Sequence, residues 1–186
     1  MELVNASADR MEGQRILLRA RVGTLLFIAS EIMLFGGLLS SFVVYRSGQL
    51  VWPPEGLPFY PVAATLINTF FLLLSGITNA IFRRTARLPW AVATIGLGVL
   101  FVVLQGVEWA NLIAHGLTMT VDAYGSYFYL VIGTHALHAV AGTLWYLYAL
   151  LQYRKYRLWN GTVEAANIFW FFVVAIWPLI FWIVYL

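Results

Sequence analysis

The sequence has no cysteine. Disulfides, thiolate metal sites and thiol catalysis are thereby excluded. It also has little charge. Asp, Glu, Lys and Arg make up 10% of its 186 residues, against about 25% in soluble domains. Imidazole is scarce too, with three histidines in all. No phosphate loop, Gly-x-Ser-x-Gly elbow or dinucleotide fingerprint is present. No repeat of solenoid length is visible. The net charge of +3 does not point to nucleic acid, because the basic residues fall in short clusters between apolar segments rather than along one face.

What is present is apolar. The chain is 62% hydrophobic, with eight tryptophans, ten tyrosines and thirteen phenylalanines, a composition suited to membrane cores and interfacial belts. Five stretches exceed the ~20 residues needed to cross a ~30 Å hydrocarbon core: 22–45, 61–82, 88–113, 123–153 and 164–186. The sequence therefore predicts an all-α, polytopic membrane protein. Its single five-helix domain spans 21–186, after a basic segment, 1–20, able to run along a membrane surface. The first span is too long for the apolar core of a cleavable signal. Arg10, Arg15, Arg19 and Arg21 precede the first span. Arg83, Arg84 and Arg87 lie between the second and third, and Arg154, Lys155 and Arg157 between the fourth and fifth. With five crossings these share one side, which predicts a cytoplasmic N-terminus and an external C-terminus. Trp52-Pro53-Pro54-Glu55-Gly56 reads as a rigid turn in the first outer loop.

Small residues forecast helix contacts. Gly23, Ser30 and Gly37 recur every seven residues, with Ser41 four further on, and Thr65, Thr69, Gly76 and Ala80 line the second span. Such stripes let another helix approach closely.

The candidate functional groups are the polar residues stranded in these spans, since intramembrane ionisable groups are expensive to keep there. Glu31 lies ten residues beyond Arg21, about 15 Å deep at about 1.5 Å per residue. It reads either as a protonated carboxyl bonded to a neighbouring helix or as a proton-linked group. His135 and His138, at i and i+3, share a face that Ala139 and Gly142 continue. Those small residues point to close helix packing and hydrogen-bonded structural histidines in preference to haem or metal ligation. His135 falls about 16 Å from the outer end of its span, so Glu31 and the pair can meet at one level. Gln105 reads as buried and in need of partners. Glu108, beside Trp109, reads as interfacial. Glu164 begins the fifth span, where a carboxylate caps the helix dipole, with a buried interhelical contact as the alternative.

Several motifs together resemble subunit III of the haem–copper oxidases. They are Tyr124-Gly125-Ser126-x-Phe128, Gly133-Thr134-His135-Ala136-Leu137-His138-Ala139-Val140-Ala141-Gly142, Leu104-Gln105-Gly106-Val107-Glu108-Trp109, Ser30-Glu31-Ile32-Met33-Leu34-Phe35 and Trp52-Pro53-Pro54. The resemblance covers about residues 24–186 and is to the shorter, five-helix form. It implies a non-catalytic subunit of a respiratory cytochrome c or quinol oxidase that reduces dioxygen and pumps protons. In such a complex it would support the stability, lipid binding and proton uptake of the catalytic subunit. It implies bound phospholipid but no cofactor or metal on this chain, haem and copper being carried by the catalytic subunit I. Subunit I, subunit II and further respiratory-complex subunits are the implied partners, in a bacterial or archaeal plasma membrane. The family's last-helix histidine and aspartate are replaced here by Phe171 and Val174, and Pro178 interrupts that helix. The alternatives are a subunit-III-like protein associated with nitric oxide reductase and, from another class, a haem-binding membrane anchor using His135 or His138. A small transporter lacks the inverted repeat it would need.

Overall fold

Residues 2–52, 62–120, 122–156 and 159–186 are described by a computed structural model, with side chains from Met11 onward except Tyr156. Pro53, Pro54 and Arg157 lie outside the described residues, and so does most of the expected outer-loop turn. Among the described residues the elements are five helices: α1 (Glu2–Ser47), α2 (Val62–Thr85), α3 (Leu88–Ala114), α4 (Ala123–Tyr156) and α5 (Gly161–Tyr185). Each is long and apolar enough to cross a membrane.

The boundaries follow local chemistry. α3 opens after Arg87, in extended conformation, with a proline in its first positions, where the missing N–H costs nothing. Between α2 and α3 the chain turns through Ala86 at φ 52°, whose carbonyl accepts from the Tyr153 hydroxyl at 2.8 Å. Gly116, at φ 89°, ends α3, a conformation glycine adopts without strain. Asn160 caps α5, its side chain accepting from the Val163 N–H at 3.0 Å. α5 then runs as one helix across Pro178.

α2, α3, α4 and α5 form a square in which each helix packs on two neighbours, and α1 lies outside it against α5 and α4. α1 contacts them through Thr24, Ile28, Glu31, Phe35, Leu38, Phe42 and Tyr45, all buried or half-buried. Their spacing alternates four and three, the repeat of a left-handed coiled-coil seam. The basic N-terminal segment is the start of α1 rather than a separate element. Ile16 and Ala20 close onto Gly161, where an added Cβ would lie 3.1 Å from Ala20 Cβ.

Two small-residue stripes behave differently. On α2, Gly76 is buried, and a Cβ there would meet Val174 Cγ1 at 2.9 Å. On α1 the stripe makes no close contact among the described residues except at Ser41, whose hydroxyl donates to Tyr127 on α4 at 3.2 Å: Gly23, Ser30 and Gly37 are exposed, and a Cβ at Gly23 or Gly37 would meet nothing within 4 Å. The stripe sits one residue before the seam positions Thr24, Glu31 and Leu38, so it is rotated about 100° away from the bundle.

Candidate functional site

The stranded polar residues fall at three levels. At the middle, His138 Nε2 lies 2.9 Å from Glu31 Oε2, joining α4 to α1. His138 Nδ1 lies 2.7 Å from the Thr134 carbonyl one turn back. Phe35 and Phe172 surround the imidazole edge-on, with Phe169 tilted beside it. The forecast that Glu31 and the paired histidines meet at one depth is met by His138.

His135 departs from its expected hydrogen bonding. It is wholly buried, and neither ring nitrogen has a hydrogen-bond partner among the described residues. Rings hold it instead. It stacks on Trp177 at 4.7 Å between centroids, with Phe101 and Phe35 edge-on. The expected small-residue face is present: Gly142 lies under Phe169 and Trp170, and Ala139 is buried.

Toward the end of the bundle where α2 begins and α3 ends, Glu108 corrects its interfacial reading. It is buried, accepting from Thr65 Oγ1 at 2.9 Å and from Gln105 Nε2 at 3.4 Å. Gln105 is buried as expected, and its Oε1 accepts from Asn68 at 3.3 Å. Trp109 predicted the depth of this turn, but Glu108 sits on the other side of the helix, facing α2.

At the end of the bundle where α5 begins, Glu164 stands in the first turn of α5 and also makes the buried interhelical contact that was its alternative. Its side chain is 1% exposed and pairs with Arg21 Nε at 2.7 Å and Arg83 Nη2 at 2.9 Å. Trp159 Nε1 donates to its other oxygen at 2.8 Å. One carboxylate thus gathers α1, α2 and α5, which puts Arg21 of α1, the beginning of α5 and the end of α2 at one end of the bundle. At the other end Arg46 donates to the Ile183 and Leu186 carbonyls and lies over Trp52 at 5.2 Å. It supplies donors to the carbonyls that α5 leaves unpaired at its C-terminus.

Between these levels runs a polar seam that the small-residue reading of α2 missed. Thr65, Asn68, Thr69, Ser75, Thr78 and Asn79 are all buried on one face. Trp177 Nε1 donates to Thr69 at 2.8 Å and Trp170 Nε1 to Ser75 at 3.1 Å. Thr78 and Thr94 hydroxyls meet at 2.8 Å. Asn79 donates to the Asn167 carbonyl and accepts from the Tyr146 hydroxyl at 2.7 Å. The signal was available as polar residues recurring at three- and four-residue steps.

The arrangement holds helices together. His138 Nε2 faces Glu31, and His135 is closed in by packed rings. Among the described residues no three His, Asp or Glu side chains gather as a metal cluster. Val174, where the resemblance led one to look for an aspartate, fills the space over Gly76.

Comparison with known proteins agrees with this picture. The family model for cytochrome c oxidase subunit III matches residues 10–186. The chain is 33% identical over 175 residues to "Probable cytochrome c oxidase subunit 3" of Mycobacterium leprae, covering 88% of this chain and 86% of that protein. It is 33% identical over 187 residues to cytochrome c oxidase subunit 3 of Cyanidium caldarium, covering 91% and 68%. To the Synechocystis protein of the same name it is 31% identical over 175 residues, covering 88% and 74%.

Proposed function

Because the chain belongs to the cytochrome c oxidase subunit III family, we propose that it sits beside the haem- and copper-bearing subunit I of a respiratory oxidase, with subunit II in the same complex, as a non-catalytic scaffold. It stabilises that subunit, holds phospholipid around it and supports its proton uptake. The basic end of the bundle faces the cytoplasm of a bacterial or archaeal cell. Family membership implies association with an oxidase complex, and the five helices fit a multi-pass bacterial membrane protein. The relatives carry the cytochrome c oxidase name, so the nitric-oxide-reductase alternative is not favoured.

One observation carries the scaffold reading: Glu31, Gln105, Glu108, His138 and Glu164 each bond to another helix or to a partner that does. The lipid part rests on Arg21 and Arg83, whose side chains are 50% and 40% exposed at one end of the bundle. Arg21 gives Nε to Glu164 and Arg83 gives Nη2, leaving further N–H donors for a phosphate headgroup. Purification through a tag on this chain in mild detergent should bring down a haem- and copper-containing partner with oxygen-reductase activity. Isolation of the chain alone, with oxidase activity intact elsewhere in the membrane, would overturn the proposal. Proton uptake by the complex should slow once this subunit is stripped away, and unchanged uptake would remove that part of the role.

A further inference from the structure

α1 is far longer than a membrane crossing requires. It runs as one helix of 46 residues from Glu2 to Ser47, about 69 Å at about 1.5 Å per residue. Arg21, Arg83 and Trp159 meet at Glu164, a set of side chains that marks a membrane boundary. Met11 stands ten residues before Arg21, about 15 Å further out. The headgroup layer adds only about 5–8 Å to each side of the hydrocarbon. The stretch of α1 that precedes Arg15 therefore stands in water.

Ile16 and Ala20 close onto Gly161 of α5, but from Met11 to Arg15 every residue is exposed. A helix end of this length is marginal in water on its own. Its face turned away from α5 is not built for water. Met11, Arg15, Leu18 and Val22 follow one another at steps of four, three and four. Val22 lies two residues before the packed Thr24, about 200° round the helix. Met11 is 54% exposed and Leu18 61%. Arg15 and Arg19 are exposed on the same side, and between Met11 and Arg21 the one acid is Glu12. Met11, Glu12, Arg15, Ile16 and Arg19 border a hollow of about 300 Å³.

Lipid does not reach Met11 at that height, and α1 has no break between Met11 and Arg21 at which it could turn to lie flat on a bilayer. We propose that α1 from Met11 to Val22 is a docking arm for a protein: the part of the neighbouring oxidase subunit that protrudes from the membrane at this end. The surface it meets is acidic with an apolar strip. Carboxylates face Arg15 and Arg19, and an apolar side chain enters the hollow beside Met11. The same helix face continues into the membrane through the exposed Leu25, so arm and span meet one partner along one line. The identity of the neighbour rests on the oxidase reading above; that a protein covers the arm does not.

The test uses the intact complex in native membranes, with a photoreactive benzophenone residue in place of Met11 or Leu18. Gly13, on the α5 side of the helix, is the control position. Irradiation should join this chain to one and the same polypeptide from Met11 and from Leu18, one that co-purifies with haem, and to no other polypeptide from Gly13. Arg15→Glu combined with Arg19→Glu should cut the Met11 adduct about fivefold, while the subunit's unfolding temperature in detergent stays unchanged. Adducts to lipid alone, no adduct, equal adducts from Gly13, or a yield indifferent to the charge reversal would each overturn the proposal. In those cases haem that still co-purifies with the chain leaves the oxidase reading standing without the arm, and loss of haem defeats that reading separately.

Discussion

Single residues carry the close contacts of this bundle, and they are uneven in what they tolerate. At Gly98 an added Cβ would fall 2.6 Å from Trp170 Cη2 and 2.8 Å from Cζ2. That indole is fully buried and bonded to Ser75, so it cannot swing aside. Gly98→Ala should therefore destabilise the subunit by about 1–3 kcal/mol, as overpacking does, and lower its unfolding temperature in detergent. Gly96→Ala, two residues away and facing open space, should be neutral or slightly stabilising through helix propensity. Glu164→Gln removes the charge that two arginines share. Weakening that junction should cost about 1–3 kcal/mol, at the lower end because both guanidiniums are half exposed and screened. Release of α1 from α5, read by proteolysis near Ile16, is the expected sign.

Residue roles were also the part least legible in the sequence. Depth along a helix was readable for Glu31 and His138, because counting from the charged ends gives a height. The side a residue faces was not. Glu108 and Glu164 both lie near span ends, where an interfacial or capping role is natural, and both turn inward to partners on other helices. His135 failed differently. Its aromatic neighbours come from α1, α3 and α5, far apart in sequence, so nothing local announced that the ring would be stacked rather than hydrogen-bonded.

At the scale of elements, the charge punctuation located all five helices, because hydrocarbon excludes the charges that mark their ends. It could not orient α1. In a water-soluble helix the polar face identifies the outside, whereas both faces of a membrane helix are apolar. Two seven-residue repeats ran side by side on α1, the small one at Gly23, Ser30 and Gly37 and the packed one at Thr24, Glu31 and Leu38. Only the fold distinguishes them. Gly37→Ala should consequently leave the subunit's own stability unchanged, measured by its unfolding in detergent. The α2 seam should respond in the opposite way. Asn79→Leu breaks the contacts to the Asn167 carbonyl and the Tyr146 hydroxyl. At about 0.6 kcal/mol for an average interhelical bond in a membrane, and about 1.7 at most, the loss should be about 1–3 kcal/mol. Tyr146→Phe, which removes one of the two, should cost less.

The whole molecule is a four-helix square with a fifth helix bolted on at three heights: Arg21 to Glu164, Glu31 to His138, and Arg46 to the end of α5. The square holds itself by the α2 polar seam and by large aromatic side chains such as Trp170 and Trp177. The fold class was legible from composition alone. The family became legible when the His135–His138, Gln105–Glu108 and Glu31 segments were taken in order, and the comparisons establish it. A bundle in which Glu31, Gln105, Glu108, His138 and Glu164 each bond to a partner on another helix is suited to steadying a neighbour. The measurement that meets this claim most directly follows haem through a separation. The complex is purified through this chain, the subunit is then released with stronger detergent, and visible spectra are taken of both fractions. All Soret absorbance and oxygen-reductase activity should remain with the partner, with lower durability during turnover. A Soret band that travels with this chain would contradict the account.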